Sequence, residues 1–118
     1  ATLRVLFIGN SLTYVNDLPS MLERIEPGRV KAAMVAKPNY GLEDHWNDGD
    51  ALRRIRKGRW DFVVMQQGPS GTEGRASLIA GAERFAADAT YARHIGRLYI
   101  EHFESGSTEV NFRSIVLR

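Results

Sequence analysis

The apolar positions of this chain fall in short runs separated by glycine, proline and polar stretches, the rhythm of alternating strands and helices. Leu3 to Ile8 (LRVLFI) is nearly unbroken and stops at Gly9, which predicts a central parallel strand buried on both faces. Leu18, Met21, Leu22 and Ile25 then recur at i, i+3, i+4 and i+7, with Asn16 and Asp17 placed to cap and Pro19 tolerated in the first turn. This amphipathic helix is expected to end at Pro27-Gly28. Val30 to Ala36 predicts a second, shorter strand closed by Pro38-Asn39-Tyr40-Gly41, and the strand, helix, strand order implies a right-handed crossover.

Leu52 and Ile55, between Asp50 and Lys57, predict a short helix ended by Gly58, and Trp60 to Met65 (WDFVVM) a third buried strand. The order so far points to a three-layer α/β fold. From Arg75 on, Leu78, Ile79, Ala82, Phe85, Ala86 and Ala89 form a helical stripe. His94 to Phe103 fits either a continuation of that helix or a separate strand. A continuous helix would be about 40 Å long at 1.5 Å per residue, more than one small domain covers, and would predict a homo-oligomer. Val110 to Leu117 (VNFRSIVL) predicts a final strand, and no internal repeat breaks the picture.

The 118 residues suit a single domain, 1–118, and 43% hydrophobic with 25% charged residues is ordinary for a globular protein. A formal charge of +2, with both signs interspersed, gives no basic stripe of the kind that tracks phosphates, so no nucleic-acid partner is expected. The absence of cysteine removes disulfides, thiolate metal sites and a cysteine nucleophile together. Three dispersed histidines supply no metal site either. No apolar run is long enough to span a bilayer, and Ala1-Thr2-Leu3-Arg4 does not form a signal peptide. A soluble chain is expected, with the cytoplasm ahead of export and the compartment left open. Trp46 and Trp60 read as core rather than as a substrate platform.

The chemistry-bearing segment is Gly9-Asn10-Ser11-Leu12-Thr13, where the first strand ends and a helix approaches. A hydroxyl there is exposed at the C-terminal edge of the sheet, the edge where α/β folds bind ligands, and nearby backbone N–H groups can stabilise an oxyanion. Ser11 is thus a candidate nucleophile. The other reading of the same spacing is that Ser11 only caps the helix. The segment is not an α/β-hydrolase nucleophile elbow, because Thr13 stands where that turn needs glycine.

Taken in order, these segments resemble the SGNH (GDSL-like) hydrolase superfamily over roughly the first 90 residues. GNSLT looks like the family's first block, with Asn10 in place of the usual Asp. Gly41 in YGLEDHW matches the second-block glycine, whose backbone N–H enters the oxyanion hole. Gln66-Gln67-Gly68-Pro69-Ser70 stands where the third block has Gly-x-Asn-Asp. With no asparagine in this segment, the resemblance makes Gln67 the amide donor, Gln66 the alternative and Ser70 a further candidate. The competing reading is that both glutamines only hydrogen-bond loop backbone.

The family's last block, an Asp-x-x-His that supplies base and orienting carboxylate, is absent, and the last third (about 90–118) departs from the pattern. A serine hydroxyl is a poor nucleophile without a base. His102, between Glu101 and Glu104, lies in the C-terminal segment where the family keeps its histidine and is the choice for base. His94, paired with Asp88, and His45, beside Asp44, are the alternatives. The resemblance implies a three-layer flavodoxin-like fold with a small parallel sheet flanked by helices. It implies a serine esterase that hydrolyses small or short-chain acyl esters through a Ser11 acyl-enzyme, with no cofactor. Its partner would be a small-molecule ester. Two other readings use the same residues: a flavodoxin-like anion- or phosphate-binding module built on Ser11 and Thr13, and a catalytically inactive oligomeric remnant.

Overall fold

In the computed structural model, which describes residues 2–68, 75–88, 100–104 and 113–117, β1 (Leu3–Gly9) lies between β2 (Val30–Ala36) and β3 (Phe62–Gln67). All three are parallel, with Leu3 opposite Val30 through to Gly9 opposite Ala36, and Val5 opposite Phe62 through to Ile8 opposite Met65. β1 takes the centre because it is apolar on both sides: Leu6 and Ile8 are fully buried on one face, Val5 and Phe7 nearly so on the other. The expected α/β architecture, a small parallel sheet flanked by helices, is present.

Beyond β3 the sheet changes direction. β4 (Ile100–Glu104) and β5 (Arg113–Leu117) are antiparallel additions, β5 pairing with β3 and β4 with β5, so the order is β2-β1-β3-β5-β4. This sheet is mixed, where the sequence predicted parallel strands only. It also settles the ambiguous stretch before Phe103, which ends as a strand. The helix from Arg75 stops at Ala87, and the argument for a second copy that rested on a 40 Å helix falls with it. Residues 89–99, with His94, and residues 110–112 of the last predicted strand lie outside the described residues.

Five helices fill the connections among the described residues. α1 (Ser11–Tyr14) is a single turn, and α2 (Leu18–Ile25) starts where Asp17 accepts from the N–H and hydroxyl of Ser20. α3 (Leu42–Asp48) and α4 (Asp50–Lys57) are joined through Gly49, and α5 (Arg75–Ala87) follows β3. The main core lies between the sheet and α3, α4 and α5. There Leu6, Ile8, Val63 and Met65 meet Leu42, Ile55, Leu78, Ala82 and Phe85, all at most 1% exposed. Any side chain at Gly81 would overlap Leu42, so α5 and α3 touch directly. Trp60 is buried in this core and Trp46 partly so, edge-on to Phe85 at 5.2 Å, as the core reading of both requires.

The opposite face is thinner. Stepping from β1 to β2 and back across to β3 with right-handed crossovers puts α2 on the face of Val5 and Phe7. The stripe predicted to face the core is largely exposed: Leu18 and Met21 at 40%, Ile25 at 71%. The period identified the helix but not its rotation. Pro19 is its buried residue, and Glu23 is turned toward the sheet edge, where its carboxylate accepts the Ala32 N–H at 2.8 Å. No helix among the described residues is long and apolar enough to cross a membrane.

Candidate functional site

The turn after β1 is built around a buried amide. Asn10 caps α1: its Oδ1 accepts the Leu12 N–H at 3.1 Å and an Nε2–H of Gln66 at 2.9 Å. Its Nδ2 donates to the carbonyls of Gly68 (2.7 Å) and Tyr40 (3.2 Å), and its backbone N–H donates to Gln66 Oε1 at 3.1 Å. The Thr13 hydroxyl donates to that same oxygen at 2.9 Å. Asn10, Thr13 and Gln66 are 4%, 2% and 6% exposed, so these bonds form in a low-dielectric interior where each unmet group is costly. A Cβ on Gly9 would collide with Thr13 Oγ1 and Gln66 Oε1, which leaves hydrogen as the side chain with room. The same geometry accounts for Asn10 where the resembling family has Asp. A carboxylate would turn acceptor oxygens toward two carbonyl oxygens.

Ser11 is the first residue of α1 and partly exposed. The capping role belongs to Asn10, which disposes of the reading in which Ser11 is only a cap. Among the described residues the Ser11 hydroxyl makes no hydrogen bond and its backbone N–H meets no acceptor. Thr13 differs: its hydroxyl is spent on Gln66.

His45 is fully buried on α3, one turn after Leu42. Its Nε2 lies 2.7 Å from the Gly9 carbonyl oxygen, and a carbonyl only accepts, so Nε2 carries the proton. Nδ1 is then bare, and it is the buried side-chain polar atom without a partner among the described residues. Burial pushes the His45 pKa below its ordinary value, against the raising effect of the Gly9 bond, and the ring is held neutral. The Tyr40 ring packs edge-on at 4.9 Å. His45 therefore braces the carbonyl that opens the Ser11 turn. It makes no hydrogen bond to the Ser11 hydroxyl.

Gly41 is the N-cap of α3, and its N–H donates to the Asp44 carboxylate at 2.8 Å. The loop before it is tied down by charge. Lys37 Nζ lies 2.7 Å from Asp48 and 2.5 Å from Asp50, and the Tyr40 hydroxyl donates to Asp48 at 3.3 Å. The Asp48 and Asp50 carboxylates raise the Lys37 pKa, while Lys37, with Arg53 second, holds Asp50 down to about 2.

β3 runs two residues further than its apolar run, so Gln66 and Gln67 belong to the strand. Gln66 is absorbed in the Asn10 network. Gln67, 2% exposed, accepts the Leu42 N–H at 3.0 Å and donates to Ser77 Oγ at 3.2 Å, which ties β3 to α3 and α5 and leaves one amide hydrogen outside these bonds. Both glutamines do hydrogen-bond backbone, as the competing reading held, but from within the buried core.

His102 sits in β4, opposite Ile115, which pairs with Met65 and so with Ile8. Three inter-strand steps put its backbone about 14 Å from β1. His94 and Ser70 lie outside the described residues. The Asp88 carboxylate lies 3.6 Å from Arg56. Among the described residues no cluster of three or more His, Asp or Glu is placed to hold a metal ion.

Sequence reasoning named His45 but missed its burial, and missed Asn10 as the hub of the turn. The spacing of Leu42 and His45, three apart on one helix face, carried the first. Comparison of the chain with protein-family models, with curated proteins and with solved structures finds no match in any of the three.

Proposed function

We propose that the chain is a serine ester hydrolase of the SGNH type on a flavodoxin-like fold, with Ser11 as nucleophile. The observation that carries this reading is the division of labour at the β1 turn. Asn10 takes the cap, and among the described residues the hydroxyl and N–H of Ser11 stand without partners at the C-terminal edge of the parallel strands. A turn held this rigidly fixes a hydroxyl at little entropic cost.

In the reaction Ser11 Oγ attacks the ester carbonyl carbon, the alcohol leaves with a proton, and water then releases the acyl group. The Ser11 N–H is the first oxyanion donor. Gly41 N–H is the second once the exposed Asp44 side chain swings off it, and the remaining amide hydrogen of Gln67 is the third. With His45 committed to Gly9, the base is sought in the C-terminal segment that carries His94 and His102. The backbone of His102 lies three strands along the sheet from β1. A small domain has little material for a deep acyl tunnel, which points to short acyl chains. The anion-binding alternative is weakened because Thr13, half of its hydroxyl pair, is occupied by Gln66.

The test is hydrolysis of p-nitrophenyl acetate, butyrate and octanoate by the parent, Ser11→Ala, His94→Ala and His102→Ala. The proposal expects turnover that falls with acyl length, vanishes in Ser11→Ala and drops at least a hundredfold in one histidine variant. Equal rates in parent and Ser11→Ala would refute it.

A further inference from the structure

Away from Ser11, a groove of about 610 Å³ runs between α4 and the outer edge of β2. Its charged lining is five cations, Arg4, Lys37, Arg53, Arg54 and Lys57, against one acid, Asp50. Lys37 and Arg53 are occupied with Asp50. Arg54 and Lys57 make no ion pair among the described residues, and both are exposed. The dipole of α4 favours cations in its last turn, but it does not call for a groove in front of them. Arg4, whose guanidinium lies 5.3 Å from the Trp60 ring centre, extends the same sign across the floor.

The wall of this groove is a strand edge. β2 is the outermost strand on its side of the sheet. Lys37 N–H bonds to Gly9 and the Arg29 carbonyl receives Leu3 N–H, so odd-numbered residues turn their backbone groups toward β1 and even-numbered ones turn theirs outward. The outward N–H of Ala32 is closed off by Glu23. Those of Met34 and Ala36, which line the groove, meet no acceptor among the described residues. The edge is thus plugged in one half and open in the half beside the cations.

We propose that this groove docks an extended acidic peptide segment of a partner protein as an added strand on β2. Its main chain would bond to Met34 and Ala36. Alternate side chains would point to the α4 face, where Leu6, Ile8, Ala33 and Val35 also lie, and there acidic residues would meet Arg54 and Lys57. The intervening side chains would lie on the face of Met34, which is 37% exposed, so they should be apolar. The segment recognised is one in which Glu or Asp alternates with apolar residues. This site is separate from Ser11 and stands whether or not the chain is an esterase.

The test is fluorescence anisotropy with a labelled octapeptide alternating Glu and Val, against the same peptide with Lys for Glu, at low and moderate salt. It is paired with amide exchange on the protein and with the double variant Arg54→Glu/Lys57→Glu, whose exposed side chains leave the Lys37–Asp50 pair intact. Expected are binding of the acidic peptide only, at least tenfold weaker binding by the double variant, and slowed exchange at Met34 and Ala36. Equal binding by parent and variant overturns the proposal. So does binding without protection of those two amides, or full competition by inorganic pyrophosphate, which would make the groove a site for small polyanions instead.

Discussion

Two loops meet at the C-terminal edge of the sheet, and they are held by opposite means. The turn after β1 is fixed by neutral amide and hydroxyl groups buried around Asn10 and Gln66. The loop after β2 is fixed by Lys37, Asp48 and Asp50 near the surface. Buried neutral bonds are neither screened by salt nor titrated in the ordinary range, and losing one partner strands the others. Exposed ion pairs are weaker and respond to both salt and pH. The difference fits the proposed labour of each: a nucleophile turn that must not move, and an oxyanion donor at Gly41 that must be released from Asp44 before it can serve.

Gln66→Leu should have the largest effect. It strands the Asn10 N–H and the Thr13 hydroxyl and leaves Asn10 Oδ1 with the Leu12 N–H alone, so urea denaturation should show a loss of about 3 kcal/mol or more. A loss below about 1 kcal/mol would mean that the network is not what holds the turn.

The second break is by pH. The folded-state pKa of His45 is lowered below its ordinary 6.5, so the unfolded chain binds the proton more readily. This contribution to stability is complete above pH 6.5 and is lost as pH falls below it. His45→Gln, which keeps a donor toward Gly9, should flatten that part of the stability–pH curve. An unchanged slope in the variant would contradict the buried neutral imidazole.

These two experiments probe what the sequence revealed unevenly. The strands β1, β2 and β3 were legible because nearly unbroken apolar runs ended close to glycine, proline or amide residues. α3 was not, because LEDHWND buries only Leu42 and His45, and a histidine does not count toward an apolar stripe. The exposed stripe of α2 shows the converse failure. Periodicity finds a helix, whereas the side that packs is decided by tertiary contacts such as Glu23 with Ala32. At the site, the position of Ser11 could be read, but its freedom could not. That depended on which of two adjacent residues took the cap, and the decision is made by Gln66, 56 residues away. From His94 to Phe103 the pattern carried a strand and a helix equally well, and over Ile100–Glu104 cross-strand pairing with β5 made the choice.

Lys37→Met should have a smaller and conditional effect. At low salt, amide exchange of Tyr40 and Gly41 should be faster than in the parent, and the difference should shrink at 1 M salt, while the β1 turn is unaffected in both. Exchange that rises equally in both loops would mean that they form one unit. The smallest effect is expected from Asp44→Ala. It removes a single part-buried contact, from an exposed side chain to Gly41 N–H, and should cost under about 1 kcal/mol. Turnover of p-nitrophenyl acetate should at least match the parent. A loss beyond tenfold would remove Gly41 from the proposed oxyanion hole.

The proposed nucleophilicity of Ser11 is measured by exposing the protein to a fluorophosphonate ester and locating the adduct by peptide mass spectrometry. A nucleophilic Ser11 gives a single stoichiometric adduct on that residue, slowed by a competing acetate ester and absent from Ser11→Ala. No adduct, or one that persists in Ser11→Ala, would contradict it.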